Sequence, residues 1–305
     1  MKMRNLYFAA VVLVAPALLA SPVSATSILG SNLTSFAVLG ATTVTNVPTS
    51  KISGSVGDWN GGANTVVGFC VSPGSPCSDP QVTGGTVQAG TLIAQLAQAE
   101  LTTAINNLNL LSPGQLEPAD LTGLTLAPGV YRVPFGISNL TGTLTLDGGN
   151  NANAAWVFLM ESSLITSVGS TVNVVGTGAG AGVYWDVRSS ATLNSGSTFA
   201  GNILALTSIT MGDGVTIGCG RALASTGTVT LISDTISIGC AGSLAGSNGL
   251  SGGLTVPPGG GVPALLPAAP VPEPGSLMLL ASGLLWVGRG VRGQWKKSDH
   301  RSLGL

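Results

Sequence analysis

The sequence predicts a mostly β protein whose body winds into a three-sided β-helix, or solenoid, beside one long α-helix. Three observations predict this fold class. Short β-rich segments follow one another with Gly or Ser between them. A threonine-rich segment recurs at intervals of 18 and 20 residues. The tripeptide Ile-Gly-Cys occurs twice, 21 residues apart, which is again about one coil.

Composition excludes several function classes. Of the 305 residues, 45 are Gly, only 8% are charged and the formal net charge is −1. The hydrophobic content of 44% is too high for a disordered chain, and no long basic run suggests a nucleic-acid partner. The single histidine, His300, lies near the C-terminus, away from the main body. We therefore expect no catalysis, no cofactor and no metal.

The N-terminus has the pattern of a secretory signal peptide, which we place at residues 1–25. Lys2 and Arg4 precede an apolar run over 6–20, and residues 23–25 are the small side chains Val-Ser-Ala. Cleavage by signal peptidase would deliver the mature chain to an oxidising compartment. We expect a secreted or cell-surface protein.

The C-terminus has three parts in order. The sequence Val271, Pro272, Glu273, Pro274 precedes an apolar stretch and then a tail with five Lys or Arg residues. This order resembles the PEP-CTERM sorting signal of Gram-negative bacteria, which an exosortase is thought to remove. The apolar stretch is short for a membrane-spanning helix, which needs ~20 residues, so a permanent anchor is the weaker interpretation.

Between the two ends lie a body and a linker. We assign residues 26–240 to the folded body, 241–270 to a flexible linker rich in Gly, Pro and Ser, and 271–305 to the sorting signal. The body holds four basic and ten acidic side chains. Because its surface has so few charges, Thr, Ser, Asn and Gly must cover much of it.

Residues from about 88 to 111 have the period of an amphipathic helix. They contain no Pro, and their apolar residues recur at steps of three and four. Pro113 and Gly114 end the pattern. The predicted buried stripe comprises Ile93, Ala97, Leu101, Ala104, Leu108 and Leu111.

After the helix the period changes to that of short strands. Because no helices separate them, these strands favour a solenoid over a parallel α/β sheet. In repeats that start at Thr192, Thr210 and Thr230, the next Leu or Met should point inward and the flanking Thr outward. The clearest strands are 142–146, 155–159, 171–175, 183–187 and 228–232.

The cysteines agree with this repeat. Cys219 and Cys240 should lie on adjacent turns and form a disulfide, whereas Cys70 and Cys77 should close their own loop. A metal site is disfavoured because no CxxC motif occurs and export favours oxidation.

Ordered blocks along the body resemble those of the secreted microbial ice-binding proteins. The resemblance spans about 35–238 and implies an irregular right-handed β-helix with a long α-helix along one side. It also implies that the protein binds ice crystals outside the cell, and we expect a monomer. The blocks are residues 39–46, 52–57, 126–131, 182–187, 199–205 and 220–223.

A β-helix could bind ice through a flat, rigid and nearly uncharged face. Coils ~4.8 Å apart place equivalent residues in a file at constant spacing, and the β-branched Thr side chain is stiff. We expect Asp213 and Asp234 to interrupt this face. The candidate ice-binding residues are Thr166, Ser170, Thr171, Thr192, Asn194, Ser195, Ser197, Thr198, Ser208, Thr210, Thr216, Thr228, Thr230, Ser233 and Thr235.

Two alternatives stay open at this point. Thr and Ser are also ordinary exposed residues of any secreted β-helix. A matrix or adhesion protein could therefore use the same scaffold to bind extracellular polysaccharide or a cell surface. Trp156, Tyr184 and Trp185 could stack on sugars, but their apolar strands favour core packing. A bulky ring at Thr210 should abolish ice activity if the repeats face ice.

Overall fold

A computed structural model describes the body and the start of the C-terminal region. The described residues are 27–47, 49–62, 64–111, 114–136, 138–257 and 261–271. The predicted signal peptide and the sorting segment from Pro272 onward lie outside them. Among the described residues, no helix is long and apolar enough to cross a membrane.

The described residues form 23 short strands and one long helix. Before the helix the strands are β1 (Phe36–Gly40), β2 (Val44–Asn46), β3 (Lys51–Ser53), β4 (Ser55–Asp58), β5 (Val66–Val67), β6 (Val82–Thr83) and β7 (Val87–Ala89). The helix α1 (Leu92–Asn109) is followed by β8 (Gln115–Leu116), β9 (Thr125–Leu126), β10 (Gly129–Val133), β11 (Thr143–Asn151), β12 (Ala155–Met160), β13 (Leu164–Ile165), β14 (Thr171–Thr177) and β15 (Gly182–Val187). The remaining strands are β16 (Ala191–Leu193), β17 (Thr198–Ala205), β18 (Ile209–Met211), β19 (Thr216–Ala224), β20 (Val229–Leu231), β21 (Thr235–Ser237), β22 (Leu254–Thr255) and β23 (Ala264–Leu265).

The strands build three parallel faces, which confirms the predicted three-sided β-helix. Face A consists of β13, β16, β18, β20, β2 and β5 in spatial order. Face B consists of β9, β11, β14, the first residues of β17 and β19, and then β21, β3 and β6. Face C consists of β8, β10, β12, β15, the last residues of β17 and β19, and then β1, β4 and β7.

The coils do not stack in chain order. Strand β1 lies between β19 and β4, and β2 lies between β20 and β5. The N-terminal coils therefore sit against the last coil of the body. Helix α1 then carries the chain along face C, so that β8 begins at the opposite end of face C from β7.

Helix α1 is shorter than the sequence pattern predicts. Gly90, with a φ of +61°, separates β7 from the helix, and the Thr91 hydroxyl caps the first turn by accepting from the Ala94 N–H at 3.2 Å. Ile93 is 46% exposed, whereas Ala94 is fully buried. The predicted stripe was therefore wrong by one residue at this end of the helix, although Ala97, Leu101, Ala104 and Leu108 are buried as expected.

Two apolar cores hold the fold together. One fills the solenoid and contains the stacked aromatic rings of Phe158 and Trp185, whose centroids are 4.0 Å apart. The other lies between α1 and face C and includes Tyr184. Trp156, Tyr184 and Trp185 are all buried, so the core prediction for these three aromatic residues is confirmed.

The first part of the predicted linker is not a free tether. Leu250 is fully buried, its carbonyl accepts from the Val183 N–H at 2.9 Å, and the Tyr184 hydroxyl donates to the Gly252 carbonyl at 2.8 Å. The prediction of a flexible linker over 241–270 is therefore wrong for residues 241–257, which we call the strap. It is also wrong for 264–270, where β23 pairs with β22 and the Ala269 carbonyl accepts from the Ala152 N–H at 2.6 Å. The Gly and Ser residues of the strap make tight turns and backbone contacts against the solenoid.

Both predicted disulfides form. Cys219 and Cys240 join adjacent coils with a Cα–Cα distance of 4.9 Å, and Cys70 and Cys77 close their loop at 6.3 Å. The described residues contain no free cysteine.

Candidate functional site

Faces A and B are the two extended sheet faces that the helix leaves open to solvent. Face C is covered by α1, and its strands β12 and β15 are buried along their whole length. A site that needs a broad, regular surface must therefore lie on face A or face B.

Face B carries an unbroken file of five threonines. The register pairs Thr143 with Thr171, Thr171 with Thr198, Thr198 with Thr216 and Thr216 with Thr235. All five are exposed or half-buried, because the next residue of each strand is a buried apolar side chain that turns its threonine outward. We call this the threonine file. It crosses five coils, or about 19 Å at the usual strand spacing.

A second file runs beside it, two residues further along the strands. Thr145 pairs with Asn173 at one end of face B, and Ser237 pairs with Ser53 at the other. In the middle, β17 contributes Ala200, where a bulge shifts the register against β19. The two files lie ~6.6 Å apart, so they form a two-dimensional array.

The hydroxyls of the threonine file are free to meet an external partner. None of the five makes a hydrogen bond to another described group, so each is available to solvent. Charge is confined to the edges of the array: Lys51 follows Thr235 at one end, and Asp147 lies beyond Thr145. A shallow depression of about 280 Å³ lies at the Lys51 end of the array, where Thr235 and Ser237 line it together with Lys51.

Face A carries a shorter file. Thr192, Thr210, Thr230 and Thr45 pair in register, and the file ends in the apolar residues Ile165 and Val67. Its strands have only two or three residues, so each contributes a single outward position between its corners.

The residues at the corner before face A serve the scaffold as well. The Ser190 hydroxyl accepts from the Ser208 N–H at 3.3 Å, and the Ser208 hydroxyl accepts from the Thr228 N–H at 3.1 Å. These bonds tie one coil to the next. Face A therefore differs from face B in having a file of four threonines and not five, beside a corner whose serine hydroxyls are hydrogen-bonded.

The structure distributes the 15 predicted residues over two faces and two corners. Thr171, Thr198, Thr216 and Thr235 lie in the threonine file of face B, whereas Thr192, Thr210 and Thr230 lie on face A. Ser208 and Thr228 lie at the corner before face A. Asn194, Ser195 and Ser233 lie in the turns between faces A and B. A single surface cannot include all of them.

Three predicted residues are buried and cannot contact a surface. Thr166, Ser170 and Ser197 are at most 1% exposed. The Ser197 hydroxyl lies 3.1 Å from that of Thr166 and 3.2 Å from that of Ser170. Their assignment to the ice-binding surface is corrected, because they form an internal network that holds the corner between faces A and B.

Asp234 does not interrupt either face, contrary to expectation. It is buried, and its carboxylate accepts from the Val215 and Ile232 N–H groups, both at 2.8 Å. Burial raises the pKa of this carboxyl to about 7. Asp213 is exposed, but it lies in the turn between β18 and β19 and not within a strand of either file.

Sequence reasoning missed Thr143, Thr145 and Asn173 on face B and Thr45 on face A. Thr143-Leu144-Thr145 is itself a Thr-x-Thr strand, so its pattern was visible. Thr45 joins the face A file only because the N-terminal coil stacks against the last coil, and no sequence spacing signals that contact. Among the described residues, no cluster of His, Cys, Asp or Glu is arranged to hold a metal ion.

Comparison with known proteins agrees with this architecture. A family model described as "Ice-binding-like" matches residues 38–237, and a second, the PEP-CTERM protein-sorting motif, matches residues 270–292. The chain therefore belongs to the ice-binding-like family and carries a PEP-CTERM sorting motif at its C-terminus.

Individual relatives and structures give the same result. An ice-binding protein of Nostoc sp. (strain HG1) is 42% identical over 215 residues, which cover 70% of this chain and 75% of the relative. The structure of an ice-binding protein with antifreeze activity from an Arctic yeast matches with a TM-score of 0.62 and 28% identity, covering 70% of this chain and 94% of that chain. An ice-binding protein from an Antarctic biological consortium matches with a TM-score of 0.58 and 30% identity, covering 70% and 91%.

Proposed function

We propose that this protein is an extracellular ice-binding protein that adsorbs to ice through face B. Family membership supports ice as the partner, and the threonine file supports the choice of face. The observation that carries the proposal is the in-register run of five outward threonines with free hydroxyls.

Adsorption would depend on the whole array and not on any single group. A hydrogen bond contributes only about 1 kcal/mol net, because water competes for the same hydroxyl. The Thr side chains are stiff, and the apolar core of the solenoid holds their strands in place. The positions of the hydroxyl and methyl groups are therefore fixed before contact with ice, so little conformational entropy is lost on binding. We assign no catalytic step and no cofactor to this surface.

The sorting motif supports export and cell-surface processing. We infer that signal peptidase removes residues 1–25 and that an exosortase acts on the segment that begins at Val271. The protein would then act outside a Gram-negative cell, where it would limit the growth or recrystallisation of ice.

An annealing experiment tests this function. Purified protein at micromolar concentration should keep ice grains small during incubation just below freezing, and the same protein after thermal unfolding should not. Unchanged grain growth with the folded protein, verified by circular dichroism, would reject ice binding and leave the scaffold to another role.

A further inference from the structure

A groove with mixed apolar and polar walls lies on the helix side of the solenoid, away from face B. It consists of two adjoining cavities of about 410 and 500 Å³ between the end of α1 and the ends of β10, β12 and β15. Both cavities are lined by Asn109 and Arg188. The Arg188 guanidinium donates to the Asn109 side-chain oxygen at 2.9 Å, and this bond divides the groove.

The groove holds two arginines and two acids, Glu161 and Asp186, on a body that is acidic overall. Two of the four basic residues of the body, Arg132 and Arg188, line it. Arg132 is paired with Glu161 at 3.4 Å. Arg188 is exposed and bonds only to a neutral amide, so most of its N–H donors point to solvent. An anionic group could therefore pair with Arg188 without displacing a carboxylate of the protein.

The second cavity contains an unsatisfied acid. Asp186 is 1% exposed, and its buried Oδ2 has no hydrogen-bond partner among the described residues. Buried polar atoms normally have a partner, so this oxygen lacks a donor that a ligand hydroxyl could supply. Arg188 directly follows the last residue of β15, and it is the other charged side chain that lines this cavity within the described part of the chain.

The rest of the lining combines apolar and amide groups. Leu159 and Leu111 lie in the first cavity, and Leu206 and Asn106 lie in the second. Apolar walls suit the C–H faces of a sugar ring, whereas amides and carboxyls suit its hydroxyls. A guanidinium suits a carboxylate, which it can bind through two parallel N–H groups.

We propose that this groove is a second binding site, and that its ligand is an acidic saccharide. The uronate carboxylate pairs with Arg188, and ring hydroxyls donate to Asp186 and bond to the amides of Asn106 and Asn109. Each cavity has room for one sugar unit, so two linked units span the groove. The site does not overlap the threonine file, so a saccharide held here leaves face B free.

A titration with defined sugars tests the site. The probes are digalacturonic acid and the neutral disaccharide cellobiose, added to the full protein and followed by calorimetry. Digalacturonic acid should bind and cellobiose should bind at least about tenfold more weakly, since it lacks the carboxylate for Arg188. R188Q should weaken digalacturonic acid binding by about tenfold or more.

Matched controls separate this site from general charge and from ice binding. K51Q removes an exposed cation of face B and should leave the affinity for digalacturonic acid unchanged, and circular dichroism should show that both variants are folded. R188Q should still inhibit ice recrystallisation, so the two proposals can fail separately. Equal affinity for the two sugars, equal weakening by K51Q, or displacement of digalacturonic acid by an equimolar amount of acetate would overturn the saccharide site.

Discussion

At the scale of single residues, threonine gives face B both regularity and stiffness. The β-branch restricts the side chain to few rotamers, and parallel pairing repeats its position at each coil. Thr198 illustrates this, because it pairs with Thr171 on one side and Thr216 on the other. Serine at these positions would keep the hydroxyl and lose the methyl group and the stiffness.

Asp186 should make the stability of the fold depend on pH. Burial raises the pKa of its carboxyl from 3.8 to about 6, and Arg188 offsets only part of this effect. Because the folded-state pKa is above the unfolded value, the unfolded chain ionises first as pH rises. The free energy of unfolding should therefore decrease between about pH 4 and pH 6.

Asp186→Asn should remove this part of the pH dependence. The amide has nearly the same shape and no charge, so the variant should exceed the wild type by up to about 3 kcal/mol at pH 8 and differ little at pH 4. Urea unfolding at the two pH values measures both differences. A wild-type advantage at pH 8 would mean that the ionised carboxylate is stabilised in the folded state and would contradict the raised pKa.

The alternation of apolar and polar residues predicted which strand side chains point inward or outward. It did not predict the side chains at the corners between faces. Leu193, Met211 and Leu231 are buried beside outward threonines, as the alternation requires. Thr166 and Ser197 are residue types that are common on protein surfaces. Their side chains nevertheless meet inside a corner, and the alternation of strand residues does not predict the geometry of that turn.

At the scale of secondary-structure elements, helix α1 depends on one buried face. Leu101 is fully buried against face C, whereas Leu96, on the opposite side, is 44% exposed. The helix also holds the N-terminus, because the Glu100 carboxylate accepts from the N–H groups of Asn32 and Leu33 at 2.9 and 2.7 Å. Its docking therefore fixes the start of β1.

Two leucine variants on this helix should lower the free energy of unfolding by unequal amounts. Leu101→Ala should lower the free energy of unfolding by about 2–5 kcal/mol, because it opens a cavity in the second core. Leu96→Ala is the matched control and should cost within about 0.5 kcal/mol. Denaturant unfolding followed by circular dichroism gives both values, and equal losses would mean that α1 does not dock through the Leu101 face.

The helix was predictable from its period, but its limits and the strap were not. Residues 87–89 continue an apolar pattern into the helix, and only the left-handed backbone at Gly90 marks the change from strand to helix. The strap has the composition of a tether. Its order comes from contacts with distant strands, such as Leu250 with Val183, and composition alone does not show them.

At the scale of the whole molecule, Arg221 joins parts of the chain that are far apart in sequence. Its guanidinium is fully buried and donates to the Thr34 carbonyl at 2.7 Å, the Asn202 side-chain oxygen at 2.7 Å and the Asn248 carbonyl at 3.1 Å. It thereby connects the N-terminal turn, face C and the strap. This role was not predictable, because it depends on the N-terminal coil stacking against the last coil.

Arg221→Met should loosen this connection. The substitution keeps much of the volume but leaves several buried acceptors without donors, so the loss should be at least about 3 kcal/mol. Limited proteolysis should also cut the strap sooner than in the wild type. The control is Lys51→Met, which alters an exposed cation of face B and should change neither result. Wild-type resistance in Arg221→Met would show that the strap is held by its apolar contacts alone.

The most direct test of face B compares one bulky substitution on each open face. Thr198→Tyr places a ring in the middle of the threonine file, whereas Thr210→Tyr places the same ring in the middle of face A. Both positions are exposed, so both variants should unfold at nearly the wild-type temperature. In the recrystallisation assay, Thr198→Tyr should lose activity and Thr210→Tyr should retain it. If Thr210→Tyr loses recrystallisation inhibition while Thr198→Tyr keeps full activity, ice binding belongs to face A and the assignment to face B is wrong.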